Sequence, residues 1–423
     1  MIDGPASRMT GIPMRPSLFG LGLLLFGACS SAPVPGDFRS SGSSGAAAGT
    51  GGSSSSGGSD GSGGSGSVGG SAGSGGAAVE CDPAPVPITA VWDRLNVMPP
   101  AFYSSAEALT LAKNVLYYQN ADGGWPKNVE MTSTTAMRSR STIDNDGTTF
   151  QIEFLSKVFG ATGCPNVGAA ATKGVEYLLA GQYENGGWPQ EFPNGDDYHT
   201  HITFNDNAMV RVLELVRKVA SRNAPYTYLD ESVVTRAADS VERGIACLLA
   251  CQIETEGVKT GWCAQHHEVT LEPAQARTYE LPSLSGSEGV GIVRFLMSIE
   301  NPSAEVREAI EGAVAWFEAV KITGIRVDTI ADPSQPSGED RVVVEDPNAP
   351  PLWARFYELE TNRPFFSSRC EVPECEDDPT FMVRYGLAEI DNERRVGYAW
   401  YGNWPKALLD TEYPAWKQRV GAP

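Results

Sequence analysis

Residues 105–126 read SAEALTLAKNVLYYQNADGGWP, and residues 167–189 read VGAAATKGVEYLLAGQYENGGWP. Each stretch carries apolar residues at helical spacing, then a Gln, then a turn that closes in Gly-Gly-Trp-Pro. The paired glycines end a helix and permit positive φ, the Pro blocks its continuation, and the Trp is bulky enough to pack over the turn. One such stretch is a helix stop. Two of them, with tryptophans 63 residues apart, form an internal repeat. A third, worn copy runs from 231 to 262 and ends in Thr-Gly-Trp.

A second helical pattern follows each copy: TIDNDGTTFQIEFLSKVFG (142–160), HITFNDNAMVRVLELVRKVA (201–220) and LPSLSGSEGVGIVRFLMSIE (281–300). All three open on Asp, Asn or Ser at capping positions and continue with apolar residues at helical spacing. Strand-like alternation is weak. The expected fold is therefore all-α, an α/α toroid of three repeated inner and outer helix pairs. Long loops and short strands, one of them near 341–347, would form a cleft. The three polar helix starts should converge at one end of the centre, and the chemistry is expected there.

The folded part is expected over 80–423. The chain holds 32 Lys and Arg against 52 Asp and Glu, a formal charge of −20, and only three of each sign precede residue 80. The acidic excess thus belongs to the folded part, and a pI near 4.7 excludes general nucleic-acid binding, which needs basic side chains on phosphates. Residues 14–29, MRPSLFGLGLLLFGAC, join a positive charge to an apolar run too short for an ordinary span. This resembles a bacterial lipoprotein signal over 1–29, with Phe26-Gly27-Ala28-Cys29 as lipobox and Cys29 as the lipidated residue. The protein is expected outside the cytoplasm, on the outer membrane or secreted, touching membrane only through that anchor. Residues 30–79 read as a flexible tether, since 16 of the 38 residues from 41 to 78 are Gly.

Beyond Cys29 lie seven cysteines, an odd number. Cys370 and Cys375 bracket an acidic loop that a disulfide would close. Cys81 and Cys164, both in Pro- or Gly-flanked segments, are candidate partners, and Cys247 reads as a small core residue. No spacing of Cys and His suits zinc.

Asp144 and Asp206 take matching places in the first two inner-helix starts, Ile-Asp-Asn-Asp and Phe-Asn-Asp-Asn. Two converging carboxylates suit a hard, oxygen-ligated cation or acid/base work, with Asp146 and Asn205 as neighbouring caps. Arg277, Tyr279 and Glu280 precede the Ser-rich start of the third inner helix. Arg355, Arg363 and Arg369 stand among aromatics in WARFYELETNRPFFSSR (353–369), and such a cluster in an acidic protein implies a polyanionic ligand. The four histidines lack a third metal ligand, and no nucleophile elbow, phosphate loop or dinucleotide fingerprint occurs.

Seven ordered segments carry a family likeness: ADGGWPKN (121–128), TIDND, YENGGWPQEFP, HITFNDNAM, ARTYELPSLSGSE, LWARFYELETNRPFF and GYAWYGNWP (397–405). Together they resemble the family 10 pectate lyases over roughly residues 85–420. The resemblance implies an α/α-toroid enzyme that cleaves polygalacturonate by Ca²⁺-dependent β-elimination to unsaturated oligogalacturonides, and a monomer is expected. It makes Asp144 and Asp206 calcium-site residues and Arg277 the base. Lys127, Asn145, Asn205, Tyr279, Glu280, Arg355 and Arg369 become substrate contacts. In place of the family's shorter turn after Arg369, this chain has SSRCEVPECEDDP. Two other readings compete: an inverting glycosidase, since paired carboxylates also support hydrolysis, and a pectin-binding protein without turnover.

Overall fold

The computed structural model describes residues 80–421. The signal expected over 1–29, with Cys29, and the linker expected over 30–79 lie outside the described residues. Seven longer helices follow the chain: α1 (Ala106–Tyr118), α2 (Thr149–Thr162), α3 (Pro165–Ala180), α4 (Ala208–Ala220), α5 (Glu231–Ala250), α6 (Glu288–Met297) and α7 (Ala304–Ala319). Odd-numbered helices are outer and even-numbered ones inner. α2 packs on α3 and α4 on α5, while α2, α4 and α6 meet in succession. The expected alternation of outer and inner helices is present, but each inner helix packs on the outer helix that follows it, α2 on α3, α4 on α5 and α6 on α7, so the pairing is shifted by one helix and α7 is a fourth outer helix.

The repeat has a definite physical content. A helix leaves its last four carbonyls without intrahelical donors. In each outer helix one of these accepts a tryptophan indole N–H: Trp125 Nε1 donates to Val115 O at 2.8 Å, Trp188 to Leu178 O at 2.7 Å and Trp262 to Leu248 O at 2.7 Å. All three rings are buried. The Gln of each copy then ties one repeat to the next. Gln119 Nε2 donates to Gly123 O in its own turn and to Ala170 O in α3, both at 2.9 Å. Gln182 bridges Gly186 O and Ser240 O of α5, and Gln252 bridges Thr260 O and Ala309 O of α7.

The first glycine of each Gly-Gly pair has no alternative. Gly123 and Gly186 have φ of 108° and 91°, and a Cβ there would stand 2.5 Å from Lys173 O and 2.0 Å from Arg243 O on the next outer helix. Changing Gln182 to Met should keep its bulk and remove the amide donors, leaving Gly186 O without its donor and Ser240 O with only its helical one. We expect a loss of about 1–3 kcal/mol, read as a lower urea midpoint at unchanged slope. An unchanged midpoint would mean that the bridge contributes nothing.

A fourth copy of the tryptophan cap was hidden from the sequence. Trp353 Nε1 donates to Phe317 O of α7 at 2.8 Å, but 36 residues separate them, against 10 for Trp188 and Leu178. The hairpin Ile325–Ala331 with Glu339–Glu345 occupies that insertion, antiparallel with Ile325 opposite Glu345. The strand expected near 341–347 is its second arm, and the other described strands are two-residue pairs. A second aromatic core, including Tyr279, Phe356, Phe366 and Trp400, anchors the loops that follow. Disulfides join Cys81 to Cys164 and Cys370 to Cys375, and Cys247 is a buried free thiol.

Candidate active site

The backbone ladder that joins the repeats also builds the site. At the start of each inner helix one N–H reaches its own repeat's tryptophan: Thr142 to Trp125 O at 3.1 Å, Thr203 to Trp188 O at 3.1 Å and Ser285 to Trp262 O at 2.8 Å. The next N–H reaches the following repeat: Ile143 to Gln190 O at 3.1 Å, Phe204 to Ala264 O at 2.9 Å and Gly286 to Arg355 O at 3.0 Å. Gln190, Ala264 and Arg355 each stand two residues beyond a capping tryptophan, and Lys127 holds the same place after Trp125. The fold therefore delivers two cations and an amide, from equivalent positions, to the inner-helix starts.

Lys127 Nζ contacts Asp144 Oδ2, which also accepts from Gln190 Nε2 at 2.6 Å. Asp144 is only 2% exposed, and its Oδ1 is buried without a hydrogen-bond partner. Asp206 differs: its side chain is 47% exposed and accepts from Asn205 Nδ2 at 3.0 Å and Arg355 Nη2 at 3.4 Å.

The expected equivalence of Asp144 with Asp206 is off by one residue. Ile143 (φ −100°, ψ −1°) matches Phe204 (φ −96°, ψ −10°), and Asn145 (φ 47°, ψ 49°) matches Asp206 (φ 49°, ψ 30°). Asp146 and Asn207 follow, both at φ 61°. Asp144 is thus the counterpart of Asn205. Each turn needs two consecutive left-handed residues, which Asn and Asp tolerate better than other side chains. The sequence comparison aligned the acids, whereas the chain aligned its conformations.

Arg355 is the centre of the second cluster, at 9% exposure. Its Nη2 donates to Glu288 Oε1 at 2.5 Å, Asn205 Oδ1 at 3.3 Å and Asp206 Oδ1 at 3.4 Å, while its Nε is buried without an acceptor. Burial works to lower its proton affinity. Glu288, Tyr398, Asp206 and Glu280 outweigh burial and raise it, so the guanidinium stays charged. Tyr398 lies beneath it, ring centroid 4.9 Å from Cζ. Glu288, with 3% exposure and a hydrogen bond from Ser285 Oγ, was not expected. Its signal was its place as the first residue of the third inner helix. Gln190 and Tyr398 were also missed.

Arg277 Nη1 donates to Tyr279 Oη at 2.8 Å, and Glu280 Oε2 lies 3.6 Å from its Nε. Here too burial lowers the proton affinity, and Glu280, Tyr279 and Tyr198 together raise it above the ordinary arginine value. Tyr279 and Glu280, expected as substrate contacts, are instead 1% and 8% exposed. Tyr279 belongs to the second core, and Glu280 Oε1 accepts from Tyr398 Oη at 2.8 Å while Oε2 accepts the Arg277 backbone N–H at 3.2 Å. Both orient Arg277 from behind. Asn205, also buried, serves Arg355 and Asp206 in the same way.

Asn145 is exposed and donates to Asn128 Oδ1 at 3.1 Å. Arg369, half-exposed, lies over the Tyr279 ring and pairs with Glu393 Oε2 at 3.3 Å. The loop that follows it is tied to the site by Cys370 N–H donating to Thr278 Oγ1 at 3.1 Å. Arg363 is elsewhere, exposed and stacked on Tyr385. Asp146 pairs with Arg211 Nε at 2.6 Å. His266 is a core residue: Nε2 accepts Cys263 N–H, Leu271 O takes Nδ1–H, and burial pushes its pKa down to about 4.

Residues 119–409 match the sequence family described as pectic acid lyase. Two structures of a family 10 polysaccharide lyase from Cellvibrio cellulosa share the fold. One is a mutant in complex with trigalacturonic acid, 32% identical, with a TM-score of 0.64 over 78% of this chain and 96% of its own. The other, also 32% identical, has a TM-score of 0.65 over 78% of this chain and 95% of its own. No curated protein matches the chain significantly. With the family matched over more than half its length and the helical repeat shared, the chain belongs to the pectic acid lyase family and is a polysaccharide lyase.

Proposed function

We propose that the chain cleaves α-1,4-linked polygalacturonate by calcium-assisted anti β-elimination, leaving a 4,5-unsaturated uronide. The observation that carries this reading is the pairing of two repeat-borne cations with acids, Lys127 with Asp144 and Arg355 with Asp206, on the adjoining turns 144–146 and 205–207. Trigalacturonic acid in the Cellvibrio lyase supports the substrate class.

The donor set fits calcium as an open site. Hard divalent ions take six to eight oxygens. Asp206 offers a half-exposed carboxylate, and Asp144 offers the unpartnered Oδ1. Among the described residues no group of three or more acidic, His or Cys side chains could hold an ion alone, so uronate and water would complete the shell. Bound calcium supplies positive charge that withdraws electrons from the uronate carboxylate and acidifies its C5 proton. Arg355 and Lys127 pair uronate carboxylates and stabilise the charge that develops as that proton leaves. Arg277, in its deprotonated fraction, takes the C5 proton, the C5–H electrons form the C4–C5 double bond, the C4–O bond breaks, and the departing oxygen takes a proton from solvent. Arg369 holds a further carboxylate at the rim.

The two disulfides support a setting outside the cytoplasm, where such bonds persist. In the same reading Cys29 carries a lipid, residues 30–79 tether a monomeric catalytic domain, and polygalacturonate is the partner. The test is ultraviolet absorbance of polygalacturonate incubated with the protein. Conjugated-product absorbance should grow with calcium, stop on chelation and resume on recalcification. New reducing ends without absorbance would mean hydrolysis and would overturn the reading.

A further inference from the structure

Three arginines gather about one buried tyrosine. The guanidinium carbons of Arg277, Arg369 and Arg394 lie 5.9, 5.0 and 4.7 Å from the Tyr279 ring centroid. Cations over an aromatic face are held by its quadrupole, more firmly when desolvated. Arg394 is the desolvated one, 8% exposed. Its Nε donates to Glu393 Oε2 at 2.5 Å and its Nη2 to Glu393 Oε1. The same carboxylate accepts from Arg369 Nε at 3.3 Å and Nη2 at 3.4 Å. Trp400 Nε1 donates to Arg394 O at 2.9 Å, fixing the backbone behind it.

We propose that Arg394 is a positioning residue for Arg277 and Arg369, acting on the first through the Tyr279 ring and on the second through Glu393. This rests on the reading of Arg277 as base. Packed on the ring face, Arg394 resists a swing of the whole Tyr279 side chain, so Oη stays where it accepts Arg277 Nη1 at 2.8 Å. One carboxylate shared by two guanidiniums leaves an excess positive charge beside the cleft, which suits a polyuronate. The groups that face Arg277 are Glu280, Tyr279, Tyr198 and Arg394. The first three favour its protonated form, whereas burial and the like charge of Arg394 oppose it. The effect of Arg394 on Arg277 is therefore both geometric and electrostatic.

The full chain at saturating calcium provides the test, with kcat and KM on polygalacturonate measured across pH and Tm measured in parallel. Arg394→Met should lower kcat tenfold or more, equivalent to moving the rising limb of the pH profile at least one unit to higher pH, and change KM less than twofold. Arg394→Lys, which keeps the charge, should recover part of that displacement. Tyr279→Phe should also lower kcat, and the double variant should be no worse than the poorer single one, because both act along one path. A lower Tm with kcat and pH profile intact in both Arg394 variants would reduce the residue to a structural role and overturn the proposal. Additive losses would overturn it as well. Arg277→Ala at wild-type kcat would instead sink the base reading, whatever the Arg394 variants do.

Discussion

Replacing Arg277 by alanine should lower kcat on polygalacturonate by roughly a thousandfold, the middle of the range for a lost acid/base group, with KM and Tm little changed. The side chain is partly exposed, and its buried partner Glu280 keeps the residue-277 backbone N–H, the Tyr398 hydroxyl and the nearby charge of Arg355. Its two anchors, Tyr279 and Glu280, keep their own partners in the aromatic core and in Tyr398. Without bound cation the guanidinium is held protonated, because Glu280, Tyr279 and Tyr198 outweigh burial. A base whose pKa lies above the working pH is competent only in its deprotonated fraction, and below the pKa that fraction grows tenfold per pH unit. The wild-type profile of log kcat/KM should therefore rise with a slope near one through neutral and alkaline pH, without a plateau near 7. Arg277→Ala should flatten it. Arg277→Lys has a lower intrinsic pKa, yet it lacks the planar fork that meets Tyr279 Oη, so it should recover little. A plateau at neutral pH, or full activity in Arg277→Ala, would assign proton abstraction to another group.

The helical repeat was legible because its parts are local. Gly-Gly, Trp and Pro state a helix stop, and the Gln before them recurs because each copy must bond the next outer helix. Lys127 and Arg355 were legible as cations, but their equivalence was not, since the 325–345 hairpin separates Trp353 from the helix it caps. Asp144 and Asp206 were legible as acids at helix starts. Their one-residue offset was hidden because the left-handed turn accepts Asn or Asp at either position. Burial was the harder quantity. Tyr279 and Glu280 flank Arg277 in sequence and so read as its neighbours in the cleft, but the second core, formed from residues more than 70 positions away such as Phe356 and Trp400, draws Tyr279 inward. Glu288 showed only its place at the start of the third inner helix, because its partner Arg355 is 67 residues away, and Arg394 gave no signal because the ring it covers, Tyr279, is far off in sequence.

Arg355→Met should be the most destabilising single change at the site, by about 3–5 kcal/mol, and should also reduce kcat/KM by roughly a hundredfold, about 2.7 kcal/mol. The two effects have different origins. Stability falls because Glu288, at 3% exposure, loses the cation that compensates its carboxylate and keeps only the hydrogen bond from the Ser285 hydroxyl. Activity falls because the uronate carboxylate loses its partner. An uncompensated buried Glu binds its proton more tightly folded than unfolded. Its penalty is therefore absent below the unfolded pKa of about 4.3 and grows as pH rises, until the folded group ionises. The stability gap between wild type and Arg355→Met should be widest at neutral pH and should narrow towards pH 4. Adding Glu288→Gln removes the stranded charge, so the double variant should regain most of the lost stability at pH 7 and none of the activity. Recovery of both together would mean that Arg355 serves only the fold. Recovery of neither would mean that Asn205 and Asp206, its other two acceptors, depend on it as much as Glu288 does.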